Sequence, residues 1–175
     1  MKNVVSVALG FGLLAGAFAA QAQAPKASPH ETVSAVINGK SVRIEYGRPS
    51  VKGRDVWSGS LAPLGKVWRT GADEATTLVC EGDLMLGSLH VPAGAYTLFT
   101  IPGEGEWTLI VNKVAKQWGA FKYDEKMDLG RVKMKVAKTA APVEQFTIAL
   151  DAKGAMGTLK LSWANVEASV HVMAH

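Results

Sequence analysis

The sequence has a single cysteine, Cys80, and charged residues fill only 19% of its 175 positions. A lone cysteine has no partner in the chain, which excludes a domain held together by disulfide bonds. A disordered chain would carry more charge and fewer than the 48% hydrophobic residues present here. Long apolar runs are missing after residue 24, which excludes a protein with several membrane-spanning helices. We therefore expect a compact domain in which Cys80 is a small buried residue.

The N-terminus has the pattern of an export signal. Lys2 precedes an apolar run from Val4 to Ala20, and small residues at alternate positions follow it, with Ala22 as the favoured cleavage site. The alternative is a membrane anchor, for which the run is short. We expect a signal peptide over 1–22, a flexible leader over 23–31 and a single β-sandwich domain over 32–173. The protein is predicted to be periplasmic or secreted, with no membrane span after cleavage.

Motifs of several functional classes are missing. No serine lies in a Gly-x-Ser-x-Gly motif, and the chain has neither a phosphate-binding glycine loop nor a dinucleotide fingerprint. The four histidines are scattered, and no group of ligand-type residues has metal-site spacing. We therefore expect no metal and no cofactor. The basic residues are spread out along the chain, so the net charge of +4 predicts no nucleic-acid partner.

Apolar and polar residues alternate over most of the chain, which is the period of β-strands. Such strands have one dry and one wet face, as in antiparallel sheets packed on a core. About ten runs separated by turn residues predict an all-β antiparallel sandwich of short strands with at most a short helix. The clearest runs are Val42–Tyr46, Val132–Val136, Phe146–Leu150, Leu159–Trp163 and Val166–Val172.

Two local patterns predict further detail. Asn38-Gly39 lies between two strand runs and favours a tight hairpin, because both residues tolerate positive φ. The runs Tyr96–Ile101 and Trp107–Val111 are apolar on both faces, so we expect a central pair of strands with a covered second face. The segment 113–129 is the best cover. Its large apolar residues are Trp118, Phe121, Tyr123 and Met127.

Residues 45–77 break the strand pattern and predict one long loop rich in Arg and Trp. A loop of this length in a compact domain is usually functional or unusually well packed. Arginine matches carboxylates and phosphates with two parallel hydrogen bonds, and tryptophan offers a flat apolar face to a sugar ring or acyl group. The candidate ligand-binding residues are Arg48, Lys52, Arg54, Trp68, Arg69, Asp73 and Glu74, with Trp118 from the second cluster.

Three functions are compatible with these residues. The first hypothesis is a non-catalytic binding module for an anionic or polar envelope ligand such as a glycan, with the arginines bound to it and Trp68 stacked on it. The second is a cell-envelope hydrolase that uses Asp73 or Glu74 as acid or base. The third is a structural or interaction domain. In it, the loop arginines Arg48, Arg54 and Arg69 bond to backbone carbonyls and to Glu45, Asp73 or Glu74, and Trp57 and Trp68 fill the end of the sandwich. No catalytic residue and no oligomeric state is predicted.

Four stretches carry a resemblance to a known family. They are Tyr46–Arg54, Pro63–Thr76, Pro92–Pro102 and Gln117–Ala120. Through them the chain resembles, from about 28 to 172, the bacterial secreted domain-of-unknown-function family numbered 2911. The resemblance implies a single exported β-rich domain and brings no catalytic residues. Leu64 stands where the family pattern leads us to expect Tyr, and Asp73 stands where it leads us to expect Asn. The carboxylate of Asp73 beside Arg69 makes an anion site less positive here.

Overall fold

The computed structural model describes residues 26–174, so the predicted signal peptide and the first residues of the leader lie outside the described part. Nine strands form the fold: β1 (His30–Ile37), β2 (Lys40–Gly47), β3 (Thr76–Cys80), β4 (Leu84–Leu86), β5 (Leu89–Val91), β6 (Gly94–Ile101), β7 (Glu106–Asn112), β8 (Asp128–Lys153) and β9 (Met156–Ala174). A single 3₁₀ turn over Glu125–Met127 is the only helical element among the described residues. Within 26–174, no helix is long and apolar enough to cross a lipid bilayer.

All the strand pairs are antiparallel, which confirms the all-β antiparallel prediction. The nine strands form one hydrogen-bonded sheet in the order β1-β2-β3-β6-β7-β8-β9-β4-β5. The β1–β2 hairpin turns at Asn38 and Gly39, whose φ angles are 49° and 74°. These are the left-handed angles that made Asn-Gly a hairpin signal.

The predicted short runs join into two long strands. Val132–Val136 and Phe146–Leu150 both belong to β8, which has 26 residues, and the last two predicted runs both belong to β9, which has 19. The pairing of β8 with β9 shifts register between Lys138 and Thr147. Bulges of this kind bend a strand. The breaks that separate the runs in the sequence are therefore irregularities within continuous strands.

The sheet encloses one large core. The segment that follows β2 hydrogen-bonds to the middle of β8: Val51 N–H donates to Glu144 O at 2.8 Å and Phe146 N–H to Pro49 O at 2.9 Å. The Tyr46 hydroxyl accepts from Ile148 N–H at 2.9 Å, so β2 and β8 meet although they are far apart in strand order. Cys80 is buried in this core, as predicted. The largest fully buried side chains include Trp107, Trp163, Phe99, Phe146, Ile44 and Met134.

A smaller apolar cluster covers the second face of β6 and β7. Phe99 and Ile110, one from each strand, are fully buried there, with Tyr123 and Ala120 packed against them. The Phe99 and Tyr123 rings meet edge to face with centroids 4.9 Å apart. The segment 113–129 thus covers the central pair, as predicted, but Trp118 and Phe121 point away from the cover into solvent.

Candidate functional site

The long loop 48–75 folds into the core and closes it. Trp68 is only 3% exposed and stacks on Trp163, with ring centroids 5.6 Å apart and planes 10° apart. Its backbone exchanges two hydrogen bonds with Thr100 of β6, at 2.8 and 3.0 Å. Trp57 packs edge to face on Trp107 in the same aromatic group. The Trp68 ring therefore presents no face to a ligand.

Two of the candidate arginines hold the loop in place. Arg48 donates to Phe146 O at 3.0 Å and to the Thr147 hydroxyl at 2.8 Å. It also forms an ion pair with Glu31 at 2.5 Å. Arg54 donates to two carbonyls of its own turn, those of residues 50 and 51, at 2.6 and 3.0 Å. Both guanidinium groups bond to backbone carbonyls, as the structural hypothesis expected. The acid paired with Arg48 is Glu31, which that hypothesis did not name.

Three other charged candidates, Lys52, Arg69 and Asp73, lie away from the cavity described below. Lys52 is exposed, with a backbone N–H that donates to Glu144 at 2.8 Å. Arg69 and Asp73 are partly buried, and Arg69 Nε and Asp73 Oδ2 have no hydrogen-bond partner among the described residues. Burial lowers the pKa of the Arg69 guanidinium, and the nearby carboxylate of Asp73 opposes this shift.

Two glycines explain why the loop can return across the end of β2. A Cβ on Gly47 would lie 2.2 Å from the carbonyl oxygen of Ala72, and one on Gly71 would lie 2.8 Å from the carbonyl oxygen of Gly47. The buried hydroxyl of Thr76 donates to Thr70 O at 2.6 Å and fixes the crossing. The return of the loop places Glu74 beside the end of β2.

A cavity of about 420 Å³ opens at this point. It brings together two of the predicted site residues, Glu74 and Trp118, which are 44 positions apart and form an isolated antiparallel bridge. Trp118 is 61% exposed, so its ring forms part of the wall and is open to solvent. The cavity is lined by Lys26, His30, Glu45, Tyr46, Gly47, Glu74, Ala75, Thr77, Lys116, Gln117 and Trp118.

Two side chains from the start of the described chain hold the Glu74 carboxylate. Lys26 Nζ lies 2.6 Å from one carboxylate oxygen, and His30 Nε2 lies 2.8 Å from the other. Burial raises the pKa of the Glu74 carboxyl, but the hydrogen bonds from Lys26, its own backbone and His30 outweigh burial and hold the pKa below its ordinary value of 4.5. The Nδ1 of His30 lies 3.1 Å from Ser28 O. Glu74 is therefore an anion that orients its neighbours.

Hydrogen bonds to the 73–75 turn hold the backbone around Trp118. Ala75 N–H donates to Gln117 O at 2.9 Å, and Gly119 N–H donates to Asp73 O at 3.1 Å. The Gln117 side chain donates to Asn112 Oδ1 at 3.0 Å. The exposed ring of Trp118 is thus carried by a backbone that is fixed on both sides. The arrangement places a flat, exposed aromatic ring beside the polar side chains of the cavity.

Sequence reasoning placed Lys26 and His30 in the leader and did not include them in the site. His30 is the first residue of β1 and pairs in register with Gly47, which brings it to the end of β2. The position of His30 could have been inferred from the sequence, because a hairpin turn at Asn38-Gly39 sets the strand register and so pairs His30 with Gly47. Among residues 26–174, no group of three His, Cys, Asp or Glu side chains could hold a metal ion.

Six residues of the cavity lie in the stretches that carried the resemblance: Tyr46, Gly47, Glu74, Ala75, Gln117 and Trp118. The model of a family described as protein of unknown function, DUF2911, matches residues 28–172. The chain belongs to the DUF2911 family. The match begins just before β1 and ends within β9, so the DUF2911 domain includes the cavity except for Lys26. No curated protein and no solved structure matches the chain.

Proposed function

We propose that this DUF2911 protein is an exported, non-catalytic binding module that takes a small hydroxyl-rich ligand, a saccharide, in the cavity beside Trp118. The observation that carries the proposal is the half-exposed Trp118 ring, held by backbone bonds above a polar cavity. The C–H face of a sugar ring packs on the negative face of an indole. Export is expected from the N-terminal signal pattern.

The polar groups of the cavity suit hydroxyl groups better than a strong anion. Lys26, Lys116 and His30 supply donors, and Glu45 and Glu74 supply acceptors, so the charges of the two lysines and the two carboxylates balance. No arginine is among the described residues that line the cavity, and the planar fork that favours carboxylates and phosphates is therefore missing. This narrows the ligand class from an anionic or polar one to a polar one with few or no charges.

The hydrolase alternative is supported by one observation, since Glu45 and Glu74 line the same cavity. A glycosidase needs one carboxyl that stays protonated to act as the acid. The pKa of Glu74 is lowered, and Glu45 is ion-paired with Arg43. Asp73 does not line the cavity. Binding without catalysis is the function that these environments favour.

The proposal is tested by nuclear magnetic resonance titration of residues 23–175, which contain every element of the described fold. The probes are N-acetylglucosamine, galacturonic acid and inorganic phosphate, each added to millimolar concentration. We expect the neutral sugar to shift the amide signals of Gln117 and Ala75 and the indole signal of Trp118. Phosphate alone is expected to leave these signals unchanged.

Matched variants locate the binding. Trp118→Ala and Glu74→Gln should each weaken sugar binding at least about tenfold, the effect of losing one well-placed contact. Phe121→Ser removes an exposed aromatic ring that does not line this cavity and should leave sugar binding unchanged. Absence of any sugar-dependent shift at the cavity, or equal shifts in Trp118→Ala, would overturn the proposal.

A further inference from the structure

A second cavity of about 480 Å³ lies next to the first and shares Lys116, Gln117 and Trp118 with it. Three exposed apolar side chains line it, those of Val114, Trp118 and Phe121. Phe121 is 86% exposed, the highest value among the large hydrophobic residues described. Exposed apolar groups gathered in this way mark a surface that meets another apolar phase.

The net charge of this surface is positive. From Lys113 to Lys122 the sequence contains three lysines and no acidic residue, and all three lysines are exposed. Two acids lie close to this segment: Asp124 lines the second cavity, and Glu74, whose carboxylate is paired with Lys26, forms a backbone bridge with Trp118. Asp124 accepts from Lys126 N–H at 3.0 Å, and Glu125 lies within 3.4 Å of Arg131. The residues 113–122, called here the aromatic–lysine surface, therefore attract an anionic partner.

The exposed rings are held outward by the backbone. Gly119 has a φ of 62°, and a Cβ at this position would lie 2.9 Å from the Phe121 ring. The Phe121 ring thus rests against the bare Cα of Gly119. At the start of the surface, Val114 O accepts from the buried Thr97 hydroxyl at 2.7 Å, and Val114 N–H donates to Asn112 Oδ1 at 3.1 Å. The backbone at Val114 is therefore fixed and the Phe121 ring has a contact on one side, which lowers the entropic cost of binding.

We propose that the aromatic–lysine surface docks the protein on an anionic phospholipid bilayer. Aromatic and aliphatic side chains enter the boundary between headgroups and acyl chains, while lysines bind the phosphates and keep their charges in water. Val114, Trp118 and Phe121 supply the first kind of contact, and the three lysines supply the second. This role shares Trp118 and Lys116 with the proposed sugar site. It differs from that site at Phe121, which lines only the second cavity, and at Glu74 and His30, which line only the first.

The experiment measures co-sedimentation of residues 23–175 with vesicles of phosphatidylcholine alone and of phosphatidylcholine with phosphatidylglycerol. We expect binding to the anionic vesicles only, weakened at high salt because the lysine contribution is screened. Phe121→Ser should reduce the partition coefficient about tenfold. Replacing Lys113, Lys116 and Lys122 together with Gln should reduce it about fivefold for each lysine.

Two controls match these changes in chemistry. Val36→Ser removes an exposed apolar side chain of β1, and the triple change of Lys135, Lys138 and Lys153 to Gln removes the same charge from β8. Both controls should bind anionic vesicles as the unchanged protein does. The thermal midpoint of Phe121→Ser should stay within about 2 °C, since its ring is exposed.

Three outcomes would overturn the inference: no binding to anionic vesicles, equal loss of binding in the control variants, or unchanged binding of Phe121→Ser. Concentration-dependent self-association that Phe121→Ser abolishes, without vesicle binding, would instead assign the surface to a second copy of the chain. Sugar binding is measured in the same variants. Its retention in Phe121→Ser separates the failure of this inference from the failure of the proposed function.

Discussion

Segments 48–69 and 113–122 both combine aromatic and basic residues, yet they orient them in opposite ways. In the first, Trp68 lies in the core and Arg48 bonds to the backbone of β8. In the second, Trp118 and Phe121 face solvent and the lysines are exposed. Similar composition therefore does not decide whether a loop fills the interior or presents a surface. The hydrogen bonds of each loop backbone determine whether its side chains face the core or the solvent.

The backbone of the first segment is attached on two sides of the core. Residues 49–51 bond to β8, and Trp68 bonds to Thr100 of β6, so the chain passes across the opening and its large side chains point inward. The second segment is bonded to residues 73–75 and, at Val114, to Asn112 and Thr97. Its aromatic rings remain exposed. Arginine also suits the interior better, because its guanidinium pairs with several carbonyls at once, whereas lysine stays hydrated.

The sharpest test of this comparison replaces one tryptophan in each segment with alanine. Trp68→Ala leaves a large cavity against Trp163 and should cost about 3–5 kcal/mol of unfolding free energy. Trp118→Ala makes the same chemical change at an exposed position and should cost less than about 1 kcal/mol. Urea unfolding followed by circular dichroism measures both. Equal losses in the two variants would mean that the segments do not differ as described.

A second pair of variants tests the arginines of the first segment. Arg48→Ala leaves Phe146 O and the Thr147 hydroxyl without their donor and removes the ion pair with Glu31, so we expect a loss of about 2 kcal/mol. Arg54→Ala breaks two bonds within an exposed turn and should cost less than about 1 kcal/mol. A loss at Arg54 as large as that at Arg48 would contradict the role of Arg48 as the main loop anchor.

The third prediction concerns Tyr123, the aromatic residue of 113–129 that packs inward against Phe99. Burial and the hydrogen bond to Asp128 raise its pKa from 10.0 to about 12. A raised pKa of this kind gives stability that is fully present below pH 10 and is lost as the pH rises from about 10 to about 12. Tyr123→Phe should lose about 1 kcal/mol at neutral pH and should lack this part of the alkaline decline.

Unfolding free energies of the unchanged protein and of Tyr123→Phe, measured from pH 7 to pH 11, test this contribution of Tyr123. Burial also raises the pKa of Tyr46 and Tyr96, so the unchanged protein declines in alkali through all three tyrosines. The difference between it and Tyr123→Phe isolates the Tyr123 contribution. A constant difference at every pH would show that Tyr123 titrates alike in the folded and unfolded states.

Local patterns predicted the strands but not the direction of the loop side chains. The alternation in Val132–Val136 and Leu159–Trp163 reports burial directly, because a strand turns every second residue inward. Trp68 and Trp118 lie in segments without a period, and their directions depend on bonds to residues far away in the sequence, Thr100 and Glu74. Composition alone could therefore name both tryptophans as candidates without separating the core residue from the surface one.

For the same reason, the sequence predicted some of the cavity residues and missed others. Glu74 and Trp118 were candidates from their residue types, and the structure places both at the cavity. Lys26 and His30 look like part of a polar leader in the sequence. They reach Glu74 because β1 begins at His30 and pairs with the end of β2. A residue whose role depends on such a pairing carries no local signal of it.

The smallest expected effect concerns Glu74, which follows the first segment in the sequence and forms a backbone bridge with Trp118 of the second. Its pKa is lowered from 4.5, so its contribution to stability is present above about pH 4.5 and is lost as the pH falls through the folded-state pKa. The carboxylate is partly exposed, and solvent screening limits the effect to less than about 1 kcal/mol. Glu74→Gln should therefore flatten the acid side of the stability profile, measured by urea unfolding from pH 7 down to pH 3. Identical acid profiles for Glu74→Gln and the unchanged protein would mean that Lys26 and His30 do not hold this carboxylate in solution. The orientation of Glu74 in the cavity beside Trp118 would then have no support.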